Sequence, residues 1–364
     1  MTRQRSRAVE EVKDAAYDEE KRVDLALINR EVCVDKVIST GSTLLDLVIS
    51  GGRRRGGGIP GGIVIEVSGR PATGKTALLA EMCASAQSRG GEARFGDPEA
   101  RLDQEYTRTY GVSLADNFAY CRPDTVVELF DDIWEWSPSN PGAINIYAGD
   151  SLAALSTEME MEEEDKRGQK RAKDFSQELR KSCRMIAKNN WLIAFSNQVR
   201  QGDMGDTTPG GMALPFYASL RIRLTFARQN SQLIREIKIG KEEKEETKKR
   251  RGKEKEKKTT ASGVYGIRSV ARVIKSSIDV PFGEAPITII FGYGIDSIRD
   301  ELQYYKDMTG EPSYNCFHKT YVSMEQAISF IEEHDLELDL KERTINLWER
   351  IQKELKIERK PKTR

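Results

Sequence analysis

Short apolar runs recur along the middle of the chain, and their make-up says what they are. IVIEVSG at 63–69 and WLIAFSN at 191–197 are nearly unbroken and rich in β-branched or aromatic residues, and stretches with helical spacing lie between such runs. A strand covered on both faces reads as a continuous apolar run. The segment from about 37 to 298 therefore predicts successive βαβ units, an α/β core with a mostly parallel central sheet flanked by helices. After residue 172 the helical pattern is explicit, because Phe175, Leu179, Cys183 and Ile186 recur at i, i+4, i+8 and i+11 with Lys and Arg between them. Residues 299–350 predict a small α-rich C-terminal domain with Ile328, Ile331, Ile345, Leu347 and Trp348 in its core. Residues 1–36 alternate charges with Ala15, Ala16, Leu25, Leu27 and Ile28, too few apolar groups for a core, and predict a helical arm.

Three segments depart from this pattern. GGRRRGGGIPGG at 51–62 holds seven glycines and three arginines and predicts a mobile loop, since glycine is the costliest residue to order. KEEKEETKKRRGKEKEKK at 241–258 has ten basic and six acidic residues; such a run cannot pack, and it reads as a solvated hairpin tip or insertion or, through its net +4, as a nucleic-acid contact. Residues 351–364 form a basic tail open to the same two readings.

Charge then limits the partners. With 58 Lys+Arg against 58 Asp+Glu in 364 residues the chain is no polycation, so any affinity for nucleic acid must come from local clusters. The five cysteines have no CxxC spacing, which argues against a zinc site or a disulfide framework. Both histidines, His318 and His334, lie near the C-terminus, which disfavours a Ser-His-Asp or Cys-His mechanism in the main domain. No apolar run approaches the roughly 20 residues that span a bilayer, and MTRQRSRAVEEVKDAA lacks the apolar stretch of a signal peptide. The expectation is a soluble, cytoplasmic protein.

The sharpest chemical signal is Gly69-Arg70-Pro71-Ala72-Thr73-Gly74-Lys75-Thr76, which satisfies G-x-x-x-x-G-K-[ST] between a predicted strand and a predicted helix. In that setting backbone N–H groups surround the phosphates of a nucleotide such as ATP, the Lys75 ammonium reaches the β/γ oxygens and the Thr76 hydroxyl ligates Mg2+. Hydrolysis also needs a carboxylate beside the metal and a base to orient water. Asp150, ending AINIYAGD, is placed for the first; Glu99 and Asp97, just beyond the strand in EARFGDPEARLD, compete for the second.

VISTGSTLLDLVIS, GRPATGKT, FGDPEARLDQEYTRTYGV, GDSLAAL, FSNQVR, TTPGGMALPFYASLRI, RVIKSSIDVPF and FGYGID follow one another in the order of the blocks of the RecA family, the bacterial and phage homologous-recombination ATPases. The chain resembles that family from about 37 to 298 and more weakly to about 350. The resemblance implies an ATP- and Mg2+-dependent DNA recombinase that forms filaments of itself on single-stranded DNA and pairs and exchanges strands with double-stranded DNA, with residues 1–36 as an oligomerisation arm. It assigns the catalytic base to Glu99, adenine contacts to Asp103 and Tyr106, γ-phosphate sensing to Gln198, a subunit-interface role to Phe216, and to Lys275 a catalytic role across that interface on the neighbour's ATP. It implies two DNA-binding loops: 156–173, whose Arg167, Lys170, Arg171 and Lys173 can meet phosphate, and 199–211, with Arg200, Met204, Gly210 and Gly211. The second loop is shorter than the family's, and Ser277 stands where the family has a second interface lysine. Two alternatives remain: a helicase-type motor on the same fold, and a non-catalytic, ATP-switched filament or mediator protein.

Overall fold

The computed structural model describes residues 36–356, apart from 101, 116, 157–166, 203–204, 208–212, 228–232 and 240–259, together with residue 359. A ten-stranded sheet organises it. In chain order its strands are β1 (Ile63–Gly69), β2 (Ala93–Gly96), β3 (Phe118–Cys121), β4 (Ile146–Gly149), β5 (Leu192–Gln198), β6 (Leu220–Phe226), β7 (Leu233–Ile239), β8 (Thr260–Ser276), β9 (Glu284–Ile290) and β10 (Gly294–Ile295). The spatial order is β10-β9-β8-β6-β1-β5-β4-β2-β3, and β7 pairs with the far end of the long β8. Strands β1 to β6 are joined by parallel pairs, whereas every pair made by β8 and β9 is antiparallel. The sheet is thus mostly parallel where the phosphate motif lies and antiparallel beyond it.

The helices are α1 (Thr43–Ser50), α2 (Lys75–Ser88), α3 (Gln104–Thr109), α4 (Val126–Glu135), α5 (Arg167–Lys188), α6 (Ala213–Tyr217), α7 (Ser297–Thr309), α8 (Met324–Glu333) and α9 (Glu337–Leu355). The two-residue alternation of strand side chains sorts the core into two layers. Ile63, Ile65 and Val67 of β1 pack with Leu78, Leu79 and Met82 of α2, while Val64, on the opposite face, joins Phe130 of α4 and Phe175 and Leu179 of α5. The predicted stripe of α5 is real: Phe175, Leu179 and Ile186 are buried and Cys183 is half-buried. Thr125 starts α4 by accepting the N–H of Glu128 on its hydroxyl, supplying one of the bonds a helix N-terminus otherwise lacks.

At the C-terminal end Leu302, Cys316, Met324, Ala327, Phe330, Ile331 and Leu340 form a third cluster. Of the expected core residues there, Ile331, Ile345 and Leu347 are buried, whereas Ile328 and Trp348 are only partly so. Helix α9 continues to Leu355, so the first residues of the expected 351–364 tail are helical.

The expectation of mobility at 51–62 is corrected. Arg53 Nη1 donates to the Ile278 carbonyl at 2.9 Å, and Arg55 reaches Glu349 at 2.7 Å, Glu342 at 2.6 Å and the Asn346 side-chain oxygen at 2.9 Å. Ile59–Pro60 pairs with Val37–Ile38 as a small two-stranded sheet. Gly57, at φ 62°, lies so close to α1 that a Cβ would sit 1.9 Å from the Asp46 carbonyl oxygen, so the glycines here permit tight packing. The charged 241–258 run lies outside the described residues, but its flanks pair antiparallel from Leu233↔Ile267 to Ile239↔Thr260, with one register shift between Ile234 and Arg235. Among the described residues no helix is long and apolar enough to cross a membrane, and no His/Cys/Asp/Glu group could by itself hold a metal.

Candidate active site

The buried strand β1 delivers the chain to the 69–76 turn, and α2 begins at Lys75. Two residues of the turn, Ala72 (φ 61°) and Gly74 (φ 94°), are left-handed. A Cβ on Gly74 would meet Ile289 Cδ1 at 2.2 Å, so β9 presses against the turn from outside and only glycine fits. The turn is held from within by Thr73 Oγ1 donating to the Arg70 carbonyl at 2.8 Å, and from β8 by Ser269 Oγ donating to the Thr73 carbonyl at 2.9 Å. Lys75 is buried and its ammonium donates to the Arg70 carbonyl at 3.0 Å. Burial lowers its pKa, opposed by the charges of Asp150 and Glu99.

Asp150 follows the end of β4 and accepts two hydroxyls, Thr76 on one oxygen and Ser196 on the other. Burial raises the Asp150 pKa, and these bonds together with the Lys75 ammonium act against it. A hydroxyl and a carboxylate side by side at the start of α2 form the hard-oxygen donor set that suits Mg2+. Sequence reasoning missed Ser196; its signal was a hydroxyl inside the apolar run WLIAFSN, on a strand neighbouring β4.

Asp97 and Glu99, the two carboxylates that compete for the base, differ in their hydrogen bonds. Asp97 is buried, and one of its oxygens accepts the Leu102 N–H at 2.7 Å and the Tyr120 hydroxyl at 3.0 Å. Glu99 Oε1 accepts from Gln198 Nε2 at 3.3 Å. Lys75, Thr76, Asp97, Glu99, Asp150 and Gln198, together with Pro71 and Ala72, line one cavity of about 130 Å³. Of the expected catalytic residues Lys75, Glu99 and Gln198 line it and Lys275 does not; of the expected 69–76 cradle Pro71, Ala72, Lys75 and Thr76 line it, whereas Gly69, Arg70, Thr73 and Gly74 do not. Asp103 and Tyr106 do not line this cavity. Asp103 is exposed and caps α3 by accepting the Glu105 N–H at 2.9 Å, and the half-buried Tyr106 ring lies 4.7 Å from that of Tyr110. The turn after β9 abuts the end of the same helix, since a Cβ on Gly294 would be 3.5 Å from Tyr110 Cδ1. It carries Phe291 and Tyr293, both more than half exposed, which the sequence reading did not single out; two aromatics in FGYG were the available signal.

The expected DNA loops are redrawn. Helix α5 begins at Arg167, so Arg167, Lys170, Arg171 and Lys173 belong to a helix, and only 157–166 of that loop lies outside the described residues. In the second loop Arg200–Gly202 and Gly205–Thr207 pair as a short antiparallel hairpin that starts two residues after Gln198, while Met204, Gly210 and Gly211 lie outside the described residues. Phe216, on α6, is 74% exposed, so it is not a core residue. Lys275 donates to the Pro215 and Phe216 carbonyls at 2.9 and 2.8 Å and so fixes the segment that presents that ring. Burial and the neighbouring Arg221 charge lower the Lys275 pKa.

A polar layer crosses the sheet on the α6 side. Glu66 of β1 is fully buried; Arg221 of β6 donates to one of its oxygens at 2.5 Å and Asn197 of β5 to the other at 3.1 Å. Asn197 adjoins Gln198, and Arg221 is paired in register with Lys275.

A strand–turn–helix phosphate cradle, a carboxylate–hydroxyl pair at its helix and a glutamate–glutamine pair opposite, all at one end of a parallel sheet, define a P-loop nucleoside triphosphatase of α/β class. The family model of the RecA N-terminal domain matches residues 8–253. "Protein RecA" of Thermus thermophilus is 35% identical over 272 residues, covering 72% of this chain and 69% of that protein. "Protein RecA" of Synechococcus elongatus is 34% identical over 273 residues, with 72% and 65% covered, and that of Rippkaea orientalis 34% over 270, with 71% and 66%. The chain belongs to the RecA family.

Proposed function

We propose that this RecA-family protein is an ATP-dependent DNA recombinase, a DNA-dependent ATPase that assembles with copies of itself on single-stranded DNA and pairs it with homologous double-stranded DNA in recombination and repair. The observation that carries the reading is the contact between Glu99 and Gln198 at 3.3 Å, across the cavity from Lys75 and at the strand end that leads directly into the Arg200–Gly202 hairpin. Lys75 and the turn N–H groups bind the phosphates, and Thr76 and Asp150 hold Mg2+, which when bound neutralises charge on the β/γ oxygens. Glu99 orients a water and takes its proton, while Gln198 reports occupancy of the γ-phosphate position to the DNA-facing segment. In the filament Phe216 packs on the next subunit and Lys275 lies near that subunit's nucleotide, with residues 1–36 joining neighbours. The protein acts in the cytoplasm, where its DNA substrate lies.

The test is ATP turnover with and without single-stranded DNA, combined with electron microscopy of the DNA complex. Wild type should show DNA-stimulated hydrolysis and helical filaments. Lys75→Ala should lose nucleotide binding, and Glu99→Gln should bind ATP with turnover reduced at least ~10²-fold. Closed rings would instead point to a helicase-type motor. Filaments without turnover would point to a non-catalytic switch, a reading to which Ser277, in place of a second interface lysine, gives some footing.

A further inference from the structure

Glu99 sits in the middle of a connection whose two ends are joined by a single side chain. The Asp97 N–H donates to the Cys121 carbonyl at 3.0 Å, which fixes the start of the connection to β3. The Asp97 carbonyl accepts the Ala100 N–H at 3.1 Å, and its carboxylate accepts the Leu102 N–H at 2.7 Å. Residue 100 between them is left-handed, at φ 53°, a conformation that an alanine holds only when its surroundings impose it. Asp97 thus sets the path of the backbone on either side of Glu99.

Asp97 is in turn held from the protein surface. Tyr120, 39% exposed on the edge strand β3, donates its hydroxyl to the same carboxylate oxygen at 3.0 Å. The exposed Arg122 donates Nε–H to the Tyr120 oxygen at 2.9 Å, with its guanidinium carbon 5.5 Å from the Tyr120 ring centroid. The directions matter. A phenol has one proton, and with Arg122 donating to its oxygen that proton is free to point at Asp97, so the chain Arg122→Tyr120→Asp97 is polarised one way and each bond strengthens the next.

We propose that Tyr120 and Arg122 are positioning residues for ATP hydrolysis, acting through Asp97 to hold the Glu99 carboxylate in its place opposite Gln198. This rests on the reading of Glu99 as the group that orients the attacking water. Tyr120 does not line the cavity that holds Lys75, Thr76 and Asp150, so its loss should act on the chemical step and leave nucleotide binding alone.

The test uses the full-length protein. Tyr120→Phe keeps the ring and removes only the hydroxyl; it should lower kcat for DNA-stimulated ATP hydrolysis about five- to tenfold, the effect of one lost hydrogen bond, with KM for ATP and affinity for a fluorescent ADP analogue unchanged. Arg122→Gln should give a smaller drop in the same parameter, and Arg122→Lys should recover part of it. In a Glu99→Gln background Tyr120→Phe should cause no further loss, because the group it positions is already gone. An unchanged kcat in Tyr120→Phe, a rise in KM matching the fall in kcat/KM, or a full additional loss in the Glu99→Gln background would each overturn the proposal. If Glu99→Gln itself hydrolyses ATP normally, the assignment of the base fails, and a fall in Tyr120→Phe would then show the relay serving another group.

Discussion

The buried Glu66–Arg221 pair can be taken apart one charge at a time. Glu66 has no exposure and its bonds come from Arg221 at 2.5 Å and Asn197 at 3.1 Å, whereas the Arg221 side chain keeps 17% exposure. Arg221→Met strands a carboxylate in the sheet with the Asn197 amide as its remaining donor among the described residues, and should cost about 3–5 kcal/mol. Glu66→Gln should cost less, about 1–3 kcal/mol, because the arginine that remains has a route to water. Replacing both, as Glu66→Leu with Arg221→Met, removes both desolvation terms and should come within about 1–2 kcal/mol of wild type, giving a large favourable coupling in the double-mutant cycle. Urea unfolding followed by tryptophan fluorescence reads this directly, since Trp136 and Trp191 are buried with ring centroids 5.0 Å apart on the same face of the sheet. A domain is typically stable by about 5–15 kcal/mol, so Arg221→Met is measurable without being lost altogether. The reasoning is refuted if Arg221→Met costs under about 1 kcal/mol, or if the double variant loses the sum of the single ones.

Three further outcomes are expected. Gln198→Ala should bind single-stranded DNA with similar affinity in ATP and in ADP, measured by fluorescence anisotropy; a variant that still tightens in ATP would place the coupling elsewhere. Removing Arg171 and Lys173 together should flatten the log–log dependence of DNA affinity on salt by about 1.4, from ~0.7 for each lost phosphate contact on a single strand, whereas deleting 241–258 should leave the slope unchanged if that run is only a solvated tip. Glu81 has its pKa raised to about 7, first by burial and also by the Asp46 charge, with the Ile295 N–H acting the other way. Its folded-state pKa lies above the unfolded value, so the native state holds the proton more tightly; this contribution to stability is complete below about pH 4.5 and fades as pH rises towards 7. Glu81→Gln should flatten the fall in urea stability across that window, and an unaltered slope would remove Glu81 as its source.

The phosphate site was legible because its geometry is local: a strand, a turn of fixed glycine content and a helix occupy consecutive residues 63–88. Asp150 was legible for a related reason, since a carboxylate just past a buried strand has few other uses there. Spacing alone left Asp97 and Glu99 level; a bond that sets Asp97 apart comes from Tyr120, which is distant in sequence and adjacent only because β2 and β3 pair. The onset of α5 was hidden because KRGQKRAK has no apolar stripe, so nothing marks a helix before Phe175. Mobility was the natural reading of GGRRRGGG because the partners of Arg53 and Arg55 lie more than two hundred residues downstream.

The order of the strands also bears on how the chain survives its own synthesis. The phosphate-binding strand β1 is complete at residue 69, but its neighbours β5 and β6 end at residues 198 and 226. A ribosome adding about 5–20 residues per second needs roughly 8–30 s to cover that interval. Until β5 is made the nascent chain carries this Ile- and Val-rich strand with neither edge paired, and until β6 is made with one edge open, the kind of segment that recruits other strands. Helix α9, which clasps Arg55, emerges last of the described elements. The aggregation hazard of this topology therefore falls on the polysome, where a chaperone that shields residues 63–69 until the sheet closes would serve better than any stabilisation of the finished fold.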